Sequence, residues 1–118
     1  MPPTIKIKRA YDKPSKGDGF RILVDRLWPR GVKKTDAAID EWAKDLAPTT
    51  TLRQWFGHDP ERWLLFEKKY KAELAQNESL ENFIETHRHK PAITLVYGAK
   101  DAAHTHALVL QQYLQDLY

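Results

Sequence analysis

The chain has 118 residues, 42% of them hydrophobic and 11% aromatic, which fits one globular domain and excludes an intrinsically disordered chain. It contains no cysteine, and this excludes a disulfide scaffold, a thiolate metal site and a cysteine nucleophile. The formal charge is +3, but residues 1–34 carry ten basic and three acidic side chains, whereas residues 35–118 carry nine basic and thirteen acidic ones. Segregated positive charge is typical of a surface that meets an anionic partner, although a solvated lysine-rich surface gives the same pattern.

The sequence also lacks a membrane or targeting signal. No apolar run approaches the length of a membrane span, and no hydrophobic signal segment follows Met1. We therefore expect a soluble, cytoplasmic protein with no membrane partner and a single α/β domain over residues 1–118, without a linker or second domain. The oligomeric state is left open.

The first part of the chain contains two predicted strands. Residues 4–9 alternate polar and apolar side chains, as a half-buried strand near a sheet edge does. Residues 10–19 contain one proline and two glycines among charged side chains, which predicts a flexible loop. Residues 20–25 have an Ile-Leu-Val centre that is apolar on both faces, and this is typical of an interior strand covered by helices.

The middle of the chain is predicted to be helical. Apolar residues at helical spacing after Thr35 and Asp36 predict a first helix, and they are Ile39, Trp42, Ala43 and Leu46. The threonine run 49–51 offers an N-cap for a short helix that Gly57 closes. Asp59-Pro60 starts a longer helix, and another begins near Ser79.

The last part of the chain predicts a strand over residues 92–97 and a final helix that follows the turn 98–101. The inner stripe of this helix is predicted to be Ala103, Ala107, Leu110, Tyr113, Leu114 and Leu117. Two apolar strands joined by a helical crossover imply a parallel pair. The predicted fold is therefore α/β, with a small, partly parallel sheet of three or four strands and helices packed on it.

The carboxyl ends of parallel strands meet at one edge of a sheet, where α/β proteins bind their ligands. The turn after residues 20–25 brings Asp25, Arg26 and Arg30 to this edge. The turn after residues 92–97 brings Lys100, Asp101, His104 and His106, with both histidines in the first turn of the last helix. Arginine and lysine suit an anionic group, and carboxylate and imidazole can exchange protons near neutral pH.

Each of these residues also has a structural interpretation. Asp25 could pair with a neighbouring charge, and Asp101 could cap the last helix. His58 lies in a tight loop, where it could stabilise the turn. The four tryptophans fit a hydrophobic core better than a base-stacking platform.

Several site motifs are absent. The spacing of Asp101, His104 and His106 matches no compact zinc motif, so no metal site is assigned, although His58, His104 and His106 are ligand types. The motifs GxxxxGK[ST], GxGxxG and GxSxG do not occur, which argues against a P-loop NTPase, a dinucleotide-binding oxidoreductase and a serine hydrolase. No cofactor is identified.

Three stretches together resemble the YeaO-like family of bacterial proteins, a domain of unknown function. They are RILVDRLWPRG at 21–31, WAKDLAPTTTLRQWFGHD at 42–59 and TLVYGAKDAAHTHA at 94–107. With the helical segment between the last two, the resemblance covers nearly the whole chain. It implies a compact single-domain α/β fold and adds Arg53 and His58 to the polar edge, but it implies no activity.

Three functions follow as hypotheses. The first is a site for a small anionic ligand, phosphate- or nucleotide-like, bound by Arg26, Arg30, Arg53, Lys100 and Asp101. Hydrolase-type chemistry at this site would use Asp25, His58 and His104 for proton transfer. The second is a nucleic-acid-binding module, which would use Lys6, Lys8, Arg9, Lys13, Lys16, Lys33 and Lys34. The third is a metal-binding or protein-interaction domain.

Overall fold

A four-stranded sheet forms the centre of the computed structural model, which describes residues 2–118. The strands are Thr4–Arg9 (β1), Phe20–Leu23 (β2), Glu41–Trp42 (β3) and Ala92–Tyr97 (β4). They lie in the order β1-β4-β2-β3, and all three neighbouring pairs are parallel. The predicted α/β class is confirmed, as are the edge position of the first strand and the parallel pairing of the two apolar strands.

Five helices pack around this sheet. They are Lys34–Ala37 (α1), Thr50–Phe56 (α2), Trp63–Ala75 (α3), Glu78–His87 (α4) and His106–Leu117 (α5). Single 3-10 turns occur at Lys16–Asp18, Lys44–Leu46 and Pro60–Arg62. Within residues 2–118, no helix has both the length and the apolar character needed to cross a membrane.

The predicted caps in the middle of the chain are confirmed. The hydroxyl of Thr49 accepts a hydrogen bond from the N–H of Leu52 at the start of α2, and Gly57 ends this helix in the left-handed conformation. The carboxylate of Asp59 accepts from the N–H of Glu61 in the 3-10 turn Pro60–Arg62, and this turn leads into α3 at Trp63. These short connections turn α2 back onto α3 and set the loop between them at the edge of the sheet.

The helix predicted between Thr35 and Leu46 is wrong. Only the turn α1 forms, because Ala38 adopts a left-handed φ of 49° and ends it. The next residues pair with the free edge of β2, so that Ile22 lies opposite Glu41 and Leu23 opposite Trp42. The apolar spacing is real, but the backbone hydrogen bonds of this segment go to a strand and not to a helix.

The last helix begins later than predicted, at His106 and not near Asp101. Thr105 is its N-cap and accepts from the N–H of Ala107, while residues 101–104 form a separate turn. Asp101 stabilises that turn by accepting from the N–H groups of Ala103 and His104. Asp101 is therefore not the cap of α5, and two residues of the predicted inner stripe, Ala103 and Leu117, are exposed.

A buried ion cluster fixes the loop between β1 and β2. Asp18, which is 4% exposed, accepts from Lys8 at 2.9 Å and from Arg21 at 2.6 Å. The hydroxyl and N–H of Ser15 donate to the same carboxylate. Burial raises the pKa of Asp18, but these hydrogen bonds outweigh it and hold the pKa well below its usual range. The loop is thereby anchored to the middle of the sheet.

Candidate functional site

A cavity of about 500 Å³ lies at the carboxyl edge of the sheet. The segment after β2, Asp25–Arg30, forms one wall, and Gly98 and Ala99 after β4 form part of another. The remaining polar lining comes from α2 and its following loop, Arg53 and His58, and from the segment His104–His106 at the start of α5. The structure therefore brings together lining residues as far apart in the sequence as Tyr11 and His106.

Arginine is the main charged side chain of this cavity. Arg26 is held in place, because its guanidinium donates to the backbone oxygens of Pro48 and Ala47, both at 3.3 Å. Arg30 and Arg53 are exposed, and their side chains make no hydrogen bond or ion pair within residues 2–118. Two guanidinium groups are thus available to a ligand, and Asp25 is the only carboxylate among the lining residues.

Asp25 is a largely buried lining residue of the cavity and braces the turn after β4. Its Oδ2 accepts from the N–H of Gly98 at 2.9 Å. A Cβ atom at position 98 would lie only 3.0 Å from this oxygen, so the close approach favours glycine. Its Oδ1 is buried, has no hydrogen-bond partner and lies 3.4 Å from Nε2 of His106. Burial raises the pKa of Asp25, although His106 and Arg53 oppose the shift.

His106, the first residue of α5, has a fixed orientation. Its Nε2 lies 3.0 Å from the carbonyl oxygen of Val24. Because a carbonyl oxygen can only accept, Nε2 must carry the proton. Burial lowers the pKa of His106, so the ring is neutral near pH 7 and Nδ1 holds the free lone pair.

His104 is also oriented, in this case by Asp101. Its Nδ1 donates to Oδ2 of Asp101 at 2.7 Å, and the ring meets Trp63 edge-on at 5.4 Å between centroids. The hydrogen bond from His104 lowers the pKa of Asp101. Asp101 is exposed and is not part of the cavity lining, so its contact with the site runs through His104. Lys100 is exposed as well and lies outside the lining.

His58 reaches the cavity through an uncommon backbone conformation. Gly57 and His58 both have a left-handed φ, of 53° and 57°. Non-glycine residues adopt this region at a cost, and histidine is one of the few types enriched there. The ring lies 6.2 Å from that of Phe56, whose side chain forms part of the apolar wall of the cavity.

Sequence reasoning missed several lining residues. They are Tyr11, Trp28, Phe56, Phe66 and Thr105. Tyr11 follows β1, and its hydroxyl donates to the backbone oxygen of Arg30 at 2.8 Å, which connects two walls. The position of Tyr11, two residues after β1 at the same edge of the sheet, was the sequence signal that could have identified it. The apolar lining residues gave no such signal, because apolar residues in a cavity wall and in a core have the same periodicity.

No cluster of three or more His, Asp or Glu side chains suitable for a metal ion exists in the described residues 2–118. The basic segment suggested for nucleic acid has internal partners: Lys8 pairs with Asp18 at 2.9 Å, and Lys6 and Arg9 donate to backbone oxygens. Part of the segregated positive charge therefore stabilises the β1–β2 loop.

Comparison with known proteins identifies relatives over nearly the whole chain. It is 47% identical over 113 residues to the uncharacterized protein YeaO of Escherichia coli, which covers 96% of this chain and 98% of that protein. It is 36% identical over 110 residues to the uncharacterized proteins Rv3073c of Mycobacterium tuberculosis and Mb3100c of Mycobacterium bovis, covering 93% of this chain and 92% of each. No solved structure matches. The resemblance inferred from the sequence is confirmed, and because the family described as the inactive DUF488-N3 subclade matches residues 4–118, the chain belongs to that subclade.

Proposed function

We propose that the cavity at the carboxyl edge of the sheet binds a small anionic ligand that carries a phosphate-like group. The observation that carries this proposal is the charge of the lining. Three arginines and one carboxylate line the cavity, and two of the arginines, Arg30 and Arg53, have no partner within residues 2–118. An arginine that is not paired with a carboxylate is free to bind an anion from solution. Its planar guanidinium group matches the arrangement of the oxygens of a phosphate.

The position of the arginines supports binding of one ligand by several elements. Arg30 comes from the loop after β2, and Arg53 comes from α2. Arg26 is fixed by two backbone oxygens and contributes charge without the need to be ordered on binding. Because the three cations come from two segments, the loop after β2 and α2, a phosphate between them would gain charge-assisted hydrogen bonds that a single surface arginine does not provide.

The size and the apolar walls of the cavity favour an organic ligand over a free ion. A volume of about 500 Å³ is in the range of small-molecule sites. Trp28, Phe56 and Phe66 line it together with the polar groups, so an apolar or aromatic part of the ligand would have surfaces to pack on. A nucleotide or another phosphate ester has both required parts.

Binding without turnover is the form of the proposal that fits the family. The subclade is described as inactive, so the candidates for hydrolase-type proton transfer, Asp25, His58 and His104, are assigned to ligand contact and positioning. Asp25 braces the turn at Gly98, while His58 and His104 are part of the lining. The protein would then recognise an anionic metabolite and not transform it.

Titration of the 15N-labelled chain with inorganic phosphate and with AMP, followed by backbone amide shifts, tests this proposal. The variants are Arg30→Gln and Arg53→Gln, and the control is Arg88→Gln, which removes the same charge from an exposed pair with Glu85 on α4. We expect each cavity variant to weaken AMP binding by about tenfold or more, since a hydrogen bond to a charged group is lost. Equal affinities in all three variants, or no binding by the unmodified chain, would refute it.

A further inference from the structure

The neutral ring of His106 presents a hydrogen-bond acceptor inside an otherwise cationic cavity. Nε2 is committed to the carbonyl oxygen of Val24, and this fixes the tautomer in which Nδ1 is unprotonated. Nδ1 has no hydrogen-bond partner within residues 2–118. It is also absent from the buried unpartnered atoms of these residues, so it is accessible to solvent. His106 is one of the lining residues of the cavity, and because Nδ1 is accessible and unpartnered we take its lone pair to be open to a ligand there.

The surroundings keep this ring neutral. Its side chain is 16% exposed, and burial disfavours the charged form. The residue is also the first of α5, and the positive end of a helix dipole disfavours an imidazolium at that place. The carboxylate of Asp25 opposes these effects. Its Oδ1 lies 3.4 Å from Nε2, so it approaches the protonated nitrogen of the ring and not Nδ1.

Exposure separates the two kinds of polar group in the cavity. Arg30, Arg53 and His58 are exposed, whereas His106 and Asp25 are largely buried. An anionic group placed against His106 and Asp25 would meet an unprotonated nitrogen and a carboxylate, both of which repel it. The anionic group of a ligand therefore belongs beside the exposed arginines, and a donor belongs beside His106.

We propose that the ligand carries a neutral hydrogen-bond donor, a hydroxyl or an amide N–H, a short distance from its anionic group, and that this donor binds Nδ1 of His106. This inference rests on the proposed anion-binding function and narrows its ligand class. It excludes simple phosphate esters with only apolar substituents as the preferred ligands. It makes His106 the residue that selects among phosphate esters, while the arginines provide attraction common to all of them.

Three phosphate esters of similar size distinguish the contribution of the donor to binding from that of the anionic group. They are 2-hydroxyethyl phosphate, 2-methoxyethyl phosphate and propyl phosphate. They offer a donor, an acceptor only, and neither, respectively. We expect the hydroxyl ester to bind about tenfold more tightly than the other two in an amide-shift titration, because only it can pair with the open nitrogen. Inorganic phosphate serves as the reference for the arginines.

The matched variant is His106→Phe. Phenylalanine keeps an aromatic ring of similar size at this position, but it has no nitrogen and offers no acceptor where Nδ1 stood. We expect the variant to keep its affinity for inorganic phosphate and to bind all three esters equally. A preference for the hydroxyl ester that persists in this variant would overturn the assignment to His106.

A second measurement does not depend on the fold of the variant. In the unmodified chain labelled with 15N in its histidine rings, the Nδ1 resonance of His106 should have the shift of an unprotonated nitrogen. It should move on addition of 2-hydroxyethyl phosphate and not of 2-methoxyethyl phosphate. Equal binding of all esters would overturn this inference and leave anion binding intact, whereas no binding of any phosphate would overturn both.

Discussion

Oδ1 of Asp25 lies 3.4 Å from Nε2 of His106, yet it is buried and makes no hydrogen bond, because the N–H of the imidazole is directed at Val24 O. Burial raises the pKa of Asp25 and lowers the pKa of His106, so the charged form of each group is disfavoured by folding. Unpaired polar groups of this kind reduce stability, and they cluster where a protein binds other molecules. Their place in the lining of the arginine-lined cavity is consistent with that use.

The ion cluster around Asp18 should be the main polar contribution to stability outside the cavity. Replacement Asp18→Asn leaves Arg21, which is 3% exposed, without its carboxylate at 2.6 Å, and weakens the hold on Lys8. Breaking a buried ion pair on one side costs about 3–5 kcal/mol, and we expect a loss of that size in urea-induced unfolding at pH 7. The control Asp12→Asn, at an exposed position in the same loop, should change the free energy of unfolding by less than about 0.5 kcal/mol. Equal effects of the two variants would contradict the structural role given to the cluster.

His87 predicts a loss of stability in mild acid. Its side chain is 1% exposed, and burial lowers its pKa below the usual 6.5, while Glu41 at 3.1 Å opposes the shift and Lys90 adds to it. The unfolded chain therefore takes up a proton at His87 before the folded chain does, so stability is complete above pH 6.5 and falls as the pH drops through the folded pKa. Urea unfolding between pH 7.5 and pH 5 should show this fall. His87→Gln should reduce its slope, whereas His89→Gln, at an exposed position, should leave the slope unchanged.

Local signals were sufficient for most of the fold. Alternation identified β1, apolar runs identified β2 and β4, capping residues identified α2 and α3, and apolar spacing identified α4, because each of these signals involves neighbours in the sequence. The segment after Asp36 failed for a physical reason. Trp42 fits a helical stripe, but its backbone pairs with Leu23 and its indole N–H donates to the oxygen of Asp25 at 2.7 Å. Both partners are distant in the sequence, so no local pattern contains them.

The candidate site, like the fold, could be predicted in part from the sequence. The rule that ligands bind beyond the carboxyl ends of parallel strands located Asp25, Arg26, Arg30 and His104 at one edge, and the structure brings them to one cavity. The tautomer of His106 could not be predicted from the sequence, since it depends on a hydrogen bond to Val24 O, which is 82 residues away. The same limit applied to Asp101, which looked like a helix cap because a carboxylate before Ala-Ala-His can stabilise either a turn or a helix.

The backbone at His58 predicts a conflict between stability and binding. Its left-handed φ of 57° carries strain that glycine does not have, so His58→Gly should raise the free energy of unfolding by about 0.5–1 kcal/mol. The same change removes an imidazole from the cavity wall and should weaken the binding of AMP several-fold. Urea unfolding and an amide-shift titration measure the two effects on one sample. The control is Ala38→Gly, since Ala38 has a similar φ of 49° but is not part of the cavity lining. This control should gain stability to a similar degree without any change in AMP affinity. A loss of AMP affinity in Ala38→Gly would contradict the assignment of the binding effect to the imidazole of His58.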